Sequence, residues 1–178
     1  SSFDEDALAR AAGLEMGRSL ARDLTVGDPE FTSPENFAAR CEQAFASGPV
    51  SVEVQRDGPK IVRENPLLGA VSRASMPVKR HHPRVIKLTY DGGPGPHYFF
   101  AGKGVTYDTG GADLKTGGAM VGMSMDKGGA AGVAGFFGLL AAMQPRGLRA
   151  TAWLGCVRNS IGADAYVADE VIEARSGV

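Results

Sequence analysis

Cysteine is scarce in this sequence, which contains two cysteines among 178 residues. Cys41 and Cys156 both fall within apolar patterns. Two cysteines cannot form the disulfide framework that stabilises small secreted proteins. We therefore expect both side chains to be buried free thiols and the protein to reside in a reducing compartment.

The sequence also lacks an excess of charge of either sign and any long apolar run. Its net charge is −1 and its isoelectric point is near 6.3, which gives no electrostatic basis for binding nucleic acid. No segment approaches the roughly 18 apolar residues of a membrane span, so no membrane partner is expected. The short basic cluster at 79–82 is interpreted as a solvated loop. Its neighbouring histidines, His81 and His82, would point in opposite directions on an extended chain, which argues against a shared metal ion.

Glycine, by contrast, is abundant, with 25 residues, and it is concentrated at 102–131. An apolar run at 98–101 precedes this stretch and is typical of a strand, and a run of small and apolar residues at 128–143 predicts a helix buried on several sides. Glycine lets a backbone adopt positive φ and approach a ligand closely. The stretch also carries six charged side chains, which are Lys103, Asp108, Asp113, Lys115, Asp126 and Lys127. It is therefore either a solvated connector or a functional loop, because charges between buried elements are costly unless they have a role.

The charged residues suit metal chemistry. Asp108 and Asp126 provide hard oxygen donors of the kind that divalent metals prefer. Lys103 and Lys115 flank Asp108 in sequence. A lysine beside a metal ion is disfavoured in its charged form, so it can become a neutral ligand or keep its proton to stabilise an oxyanion. Asp113 is a weaker candidate for a third ligand, because exposed loop carboxylates are common.

Elsewhere the chain predicts an alternation of helices and strands. A helical stripe covers 5–24, with either Asp4 or Asp6 as its cap, and a second helix begins after either Thr32 or Ser33. Strands are predicted at 50–54, 84–90, 98–101 and 150–157, with Trp153 in the core. The order of strand, glycine-rich stretch, helix and strand indicates a βαβ unit and a parallel sheet.

The glycine-rich stretch resembles the M17 leucyl aminopeptidase family. The family pattern runs Gly-Lys-Gly-x-Thr-x-Asp-[Ser/Thr]-Gly-Gly-x-x-x-Lys, continues through a methionine-rich turn and reaches Asp-x-Gly-Gly-Ala-Ala. The residues at matching spacings are Lys103, Asp108, Lys115, Met123 and Asp126. A nucleotide-binding P-loop fits less well, because Gly104 stands where that motif has Ser or Thr and His97 stands at its first glycine.

The resemblance implies a zinc-exopeptidase-like α/β/α fold, in which helices flank a mixed, mainly parallel sheet. It covers almost the whole chain, 1–178, as the N-terminal part of the family's catalytic domain. Within it we expect leading helices at 1–48, the sheet and the metal loop at 49–157, and a polar tail at 158–178. The family's N-terminal domain and the C-terminal half of its catalytic domain would be absent, so the fold would be incomplete in this chain.

For the intact protein, the resemblance implies an aminopeptidase that releases N-terminal residues, often leucine or other apolar residues, from short peptides. Asp108 would bridge two divalent ions, Zn2+ and/or Mn2+, Lys103 and Asp126 would ligate the second ion, and a water activated by both would attack the peptide carbonyl. Lys115 would be catalytic, stabilising the oxyanion, and Met123 would line the pocket for the first side chain. With Met123, the side chains of Lys103, Asp108 and Lys115 would contact the substrate. The family also implies a cytoplasmic homo-oligomer, generally a hexamer.

The remaining ligands of the family come from an Asn-Thr-Asp-Ala-Glu-Gly-Arg motif, which does not occur in this sequence. We expect it downstream of Val178 or on a second chain, because two aspartates are too few to hold two divalent ions. Two alternatives to an enzyme remain. One is a non-catalytic fragment with a structural or binding role, and the other is a nucleotide-binding loop that contacts phosphate at Gly110 and Gly111.

Overall fold

The computed structural model describes residues 4–178, and residues 1–3, with which the predicted leading segment begins, lie outside the described residues. In chain order the elements are α1 (Glu5–Val26), α2 (Pro34–Ala44), β1 (Val50–Gln55), α3 (Gly58–Glu64), α4 (Pro66–Ser72), β2 (Arg84–Asp91), β3 (His97–Asp108), α5 (Gly128–Met143) and β4 (Arg149–Asn159). Short 3-10 turns lie at Arg73–Ser75, Lys79–His81 and Met123–Met125. The tail at 160–178 contains neither helix nor strand.

The first two helices begin at side chains that satisfy their free N–H groups. In α1 the cap is Asp4 rather than Asp6, because the Asp4 carboxylate accepts hydrogen bonds from two N–H groups of the first turn. In α2 the cap is Ser33 rather than Thr32. The Ser33 hydroxyl accepts a hydrogen bond from the first turn, and Pro34 occupies the first helical position.

The four strands form one mixed sheet in the order β1-β2-β4-β3, which confirms the predicted α/β class. Since β3 and β4 pair in parallel, β3, α5 and β4 form the predicted βαβ unit. A mainly parallel sheet, however, does not describe these four strands, because β2 runs antiparallel to both β1 and β4. Alternating apolar residues occur in strands of either direction, so the pattern of β2 carried no signal for its orientation.

The core lies between one face of the sheet and the helices α1, α2 and α5. Its fully buried side chains include Leu24, Phe37, Ile86, Leu88, Phe137 and Leu154. Cys41 and Cys156 lie in this core as free thiols, as predicted. Burial raises the pKa of Cys41 to about 12, so its thiol stays protonated and unreactive at neutral pH.

The prediction that Trp153 belongs to the core is wrong. Its neighbours Ala152 and Leu154 point into the core, and alternation along β4 places Trp153 on the opposite face of the sheet. There its side chain is 42% exposed and stacks on the ring of Phe99, with 6.3 Å between the ring centroids. Burial of its neighbours on one face of a strand therefore does not require burial of a large aromatic residue on the other face.

The helices α1 and α5 pack closely because glycines stand at their crossing. A Cβ atom on Gly135 would lie 2.5 Å from the carbonyl oxygen of Gly17 and 2.8 Å from the Cβ of Ala21. Gly132, on the same helix, has open space at its Cβ position. Thus α5 is covered by the sheet and by α1, as its apolar sequence predicts. No helix within residues 4–178 combines the length and apolar character needed to cross a membrane.

The glycine crossing makes a prediction about stability. Alanine is favoured over glycine inside a helix by about 1 kcal/mol, so Gly132→Ala should leave the free energy of unfolding unchanged or raise it. Gly135→Ala should be less stable than Gly132→Ala by about 1–3 kcal/mol, because its methyl group overpacks the crossing. Denaturant unfolding of both variants measures the difference, and equal stability would contradict the close packing of α1 on α5.

Candidate functional site

The first part of the glycine-rich stretch belongs to β3. The predicted strand at 98–101 is too short, since β3 continues to Asp108, and Lys103 is therefore a strand residue. Glycine at 102 serves close packing, because a Cβ atom on Gly102 would lie 2.7 Å from the Cα of Ala130 in α5. A glycine in this stretch suggests a loop. In the structure, Gly102 lies in a strand and lets α5 pack closely against it.

A β-bulge in β3 brings Lys103 and Asp108 onto one face of the sheet. Lys103 lies opposite Gly155 and Asp108 lies opposite Asn159, with a shift of register after Val105. Side chains alternate between the faces of a regular strand, so residues five apart would face opposite sides. The bulge adds one residue to β3. Asp108 then shares the face of Lys103, because their partners on β4 are four residues apart and directly paired residues share a face.

Asp108 is held rigidly at the end of β3. Its Oδ1 atom accepts hydrogen bonds from the N–H of Gly110 at 2.8 Å and from Nδ2 of Asn159 at 2.7 Å. Its Oδ2 atom lies 3.5 Å from Nζ of Lys115, and 15% of its side chain is exposed. Burial by itself would raise the pKa of Asp108. The two hydrogen bonds and the Lys115 charge outweigh burial, so the pKa lies below its ordinary value and the carboxylate is ionised at neutral pH.

Two glycines reverse the chain after Asp108. Gly110 and Gly111 have φ values of 89° and 68°, which glycine adopts without strain. The N–H of Lys115 then donates to the carbonyl oxygen of Thr109 at 3.0 Å, and this bond returns the lysine to Asp108. The N–H groups of the two glycines already donate to Asp108 and Thr109. Neither is free for a phosphate, which argues against the nucleotide-binding alternative.

Asp126 follows the 3-10 turn Met123–Met125 and faces Lys103. Its Oδ1 atom lies 2.8 Å from Nζ of Lys103, and the side chains of Lys103 and Asp126 are 61% and 20% exposed. The second oxygen, Oδ2, is buried and has no hydrogen-bond partner among the described residues. An unsatisfied buried carboxylate oxygen is unfavourable, and a metal cation would satisfy it.

The structure thus brings four predicted residues into two pairs, Lys103 with Asp126 and Lys115 with Asp108. Met123 begins the 3-10 turn before Asp126 and is half-buried. The weaker candidate, Asp113, is exposed and belongs to neither pair.

The donor set fits one part of a divalent-metal site. Asp108 and Asp126 offer carboxylate oxygens, and Lys103 offers a nitrogen when it loses its proton. Within the described part of the chain, no group of three or more His, Cys, Asp or Glu side chains is placed to hold a metal ion. Further ligands would have to complete such a site.

Two residues near the site were not predicted to have a role. Asn159 positions Asp108 through a hydrogen bond. The sequence signal for this role is a polar amide residue at the end of β4, the strand beside β3. Lys127 is fully buried, whereas one of the two interpretations of the glycine-rich stretch was a connector with solvated charges. Burial lowers the pKa of Lys127, and the nearby negative charge of Asp28 opposes that shift.

Comparison with known sequences points to one family. The family described as "Cytosol aminopeptidase family, catalytic domain", peptidase family M17, matches residues 19–178. A Caenorhabditis elegans protein named "putative aminopeptidase" is 45% identical over 161 residues, covering 89% of this chain and 31% of its own length. A "probable cytosol aminopeptidase" of Leifsonia xyli subsp. xyli is 36% identical over 180 residues, covering 99% of this chain and 35% of its own length. The chain therefore spans about a third of the length of the curated relatives it matches.

Solved structures agree with the sequence relatives. The cytosol aminopeptidase of Coxiella burnetii superimposes with a TM-score of 0.85 at 28% identity, over 95% of this chain and 36% of its own. The bottromycin maturation enzyme BotP, in complex with Mn, superimposes with a TM-score of 0.87 at 29% identity, over 99% of this chain and 38% of its own. With a family match over most of its length and a fold shared with solved members, the chain belongs to the catalytic domain of the M17 cytosol aminopeptidase family.

Proposed function

We propose that the intact protein is a metal-dependent aminopeptidase that releases N-terminal residues from peptides. Membership of an aminopeptidase family supports peptide hydrolysis. The observation that carries metal dependence is the buried Oδ2 atom of Asp126, which has no hydrogen-bond partner within residues 4–178 although the other oxygen is paired with Lys103. A carboxylate with a purely structural role would be expected to have both oxygens satisfied.

The proposed cofactors are two divalent ions, Zn2+ and/or Mn2+. Asp108 would contact both ions, and Lys103 and Asp126 would hold the second. The complex of BotP with Mn supports manganese as one of the metals. When bound, the ions would supply Lewis acidity that polarises the peptide carbonyl and acidifies water. The lowered pKa of Asp108 favours this role, because the carboxylate needs no deprotonation to accept a cation at neutral pH.

Lys115 is the proposed catalytic residue of this chain. Its ammonium lies 3.5 Å from Asp108 and its side chain is partly exposed, so it could contact a substrate without leaving its carboxylate partner. A charged donor at that position would stabilise the negative charge that develops on the carbonyl oxygen during hydrolysis. Met123 would line the pocket for the first side chain, since a flexible thioether adapts to apolar groups of different shape.

The proposed substrates are short peptides with a free N-terminus, often with leucine or another apolar residue first. Lys103, Asp108, Lys115 and Met123 would contact them. A cytoplasmic location and a homo-oligomer, as a hexamer, are further proposals that rest on family resemblance alone.

The chain is proposed to be the N-terminal part of the catalytic domain. Leading helices would occupy 1–48, the sheet and the metal loop 49–157, and a polar tail 158–178. Because this chain spans about a third of its relatives, we propose that downstream sequence or a second chain contributes the missing ligands. Reading the coding sequence beyond Val178 tests this directly, and an Asp-x-Glu-x-Arg sequence there would support it.

Lys115→Ala should lower kcat for hydrolysis of a leucine anilide by about 10²–10³-fold in the intact protein with Mn2+ or Zn2+. The lost ammonium would no longer stabilise the oxyanion, whereas metal binding should persist because Lys115 is not a proposed ligand. Lys60→Ala, on the exposed surface of α3, is a matched control and should retain activity. Undiminished turnover by Lys115→Ala would refute its role. A wild-type protein inactive with both metals would favour the non-catalytic alternative.

Asn159→Leu should weaken Mn2+ binding by about 10–100-fold and shift its acid limit to higher pH. The hydrogen bond from Asn159 favours the ionised form of Asp108, so its loss should raise the pKa of Asp108 toward the ordinary value. Protons would then compete with the metal at higher pH. Calorimetric Mn2+ titrations across the acidic and neutral range measure this shift. Ser160→Ala is the control, and an unchanged pH dependence in Asn159→Leu would contradict the proposed role of the amide.

The carboxyl group of Asp108 also links the free energy of unfolding to pH. Because the pKa of Asp108 is lowered by folding, its stabilising contribution is fully present above the ordinary carboxyl pKa. That contribution is lost as pH falls through the lowered pKa. We expect Asn159→Leu to be less destabilised by acid than the wild type over this interval, relative to its own stability at neutral pH. Denaturant unfolding of both proteins at neutral pH and at a pH below the ordinary carboxyl pKa measures how much stability each loses in acid. Equal losses in the wild type and in Asn159→Leu would contradict this prediction.

A further inference from the structure

Lys127 is a buried lysine beside the candidate site that has no part in the proposed chemistry. Its side chain is completely buried, and its ammonium donates hydrogen bonds to the carbonyl oxygen of Gly27, at 3.0 Å, and to that of Ser124. Removing an ammonium from water is costly. An apolar side chain would fill the same space without that cost, so the hydrogen bonds themselves require an explanation.

The two acceptors belong to segments that are far apart in the chain. Gly27 directly follows α1, and Ser124 lies in the 3-10 turn that precedes Asp126. Lys127 itself is the residue immediately before α5. Its hydrogen bonds therefore tie the end of α1, the turn before Asp126 and the start of α5 to one another.

The start of α5 is also anchored on β3. A Cβ atom on Gly129 would lie 3.2 Å from the backbone nitrogen of Lys103, so the first turn of α5 rests on the strand at the residue that pairs with Asp126. The backbone of Asp126 is thus held by the hydrogen bond from Lys127 to Ser124, and the helix that follows is held by the contact of Gly129 with β3.

The carboxylates of Asp108 and Asp126 are positioned in different ways. Asp108 receives a backbone N–H and the amide of Asn159. The carboxylate of Asp126 has one partner among the described residues, the exposed side chain of Lys103. A long, solvated lysine cannot define its position as closely as fixed donors do. The position of Asp126 depends instead on its backbone, which Lys127 holds.

We propose that Lys127 is a positioning residue for Asp126, holding this carboxylate ready for a divalent cation. The inference rests on the proposed metal-binding function. Lys127 acts through its hydrogen bonds to two backbone carbonyls and contacts neither metal nor substrate. Ligand-supporting groups of this kind typically contribute about 10–100-fold to metal affinity.

Lys127→Met in the intact protein tests the proposal, since methionine fills similar space and has no donor. We expect the Kd for Mn2+, measured by calorimetry, to rise at least about 10-fold. Hydrogen exchange of the metal-free protein should become faster across residues 123–131 and stay unchanged in β2. Ser75→Ala is the matched control, because it removes a buried hydroxyl that also lies within hydrogen-bond distance of two backbone carbonyls, those of Ser72 and His81. It should change neither quantity.

The outcomes separate the proposal from its alternatives. A folded Lys127→Met protein with unchanged Mn2+ affinity would overturn the positioning role, even if its stability were lower, because the lysine would then serve folding alone. If that variant does not fold, Lys127→Gln, whose uncharged amide side chain is one bond shorter, takes its place. Faster exchange across 123–131 with an unchanged Kd for Mn2+ would then overturn the positioning role, and a raised Kd would support it. A wild-type protein that binds neither Mn2+ nor Zn2+ would overturn the proposed function before any variant is compared.

Discussion

The parallel pairing of β3 with β4 is the constraint on which the candidate site depends. Without the bulge after Val105, Lys103 and Asp108 would lie on opposite faces of the sheet, and one metal site could not use both. The same pairing places Asn159 opposite Asp108, where its amide holds the carboxylate ionised. One irregularity in the ladder therefore sets both the position and the charge of the principal candidate ligand.

The site balances its charges within the chain. Each aspartate faces a lysine, so neither carboxylate is left as an uncompensated charge in a partly buried position. The balance is unequal. Asp108 has two fixed hydrogen-bond donors, whereas Asp126 has a flexible partner and one oxygen that no donor in the described part of the chain satisfies. That difference gives Lys127 its proposed importance. The side-chain contacts of Asp126 do not fix the position of its carboxylate, so the backbone that Lys127 holds must do so.

Glycine serves two different physical purposes in the stretch at 102–131. Gly110 and Gly111 adopt left-handed conformations and reverse the chain. Gly102 and Gly129 lie instead where α5 meets β3. A Cβ atom on Gly102 would collide with the backbone of α5, and one on Gly129 would be crowded against the backbone of β3. Close seating of α5 on the strand is what brings Asp126, just before the helix, within reach of Lys103. The glycine-rich composition is thus explained by packing as much as by turns.

Local periodicity and residue types at fixed spacings were enough to predict the alternation of helices and strands, the βαβ unit, the burial of Cys41 and Cys156 and the family. The folded chain was needed to establish the direction of β2, the exposed position of Trp153, the bulge in β3 and the burial of Lys127. Each of these is set by contacts between residues distant in sequence, such as the hydrogen bond from Lys127 to Gly27. A single sequence carries no local pattern for such contacts, because the periodicity of a helix or strand is the same whether or not its residues make a particular long-range contact.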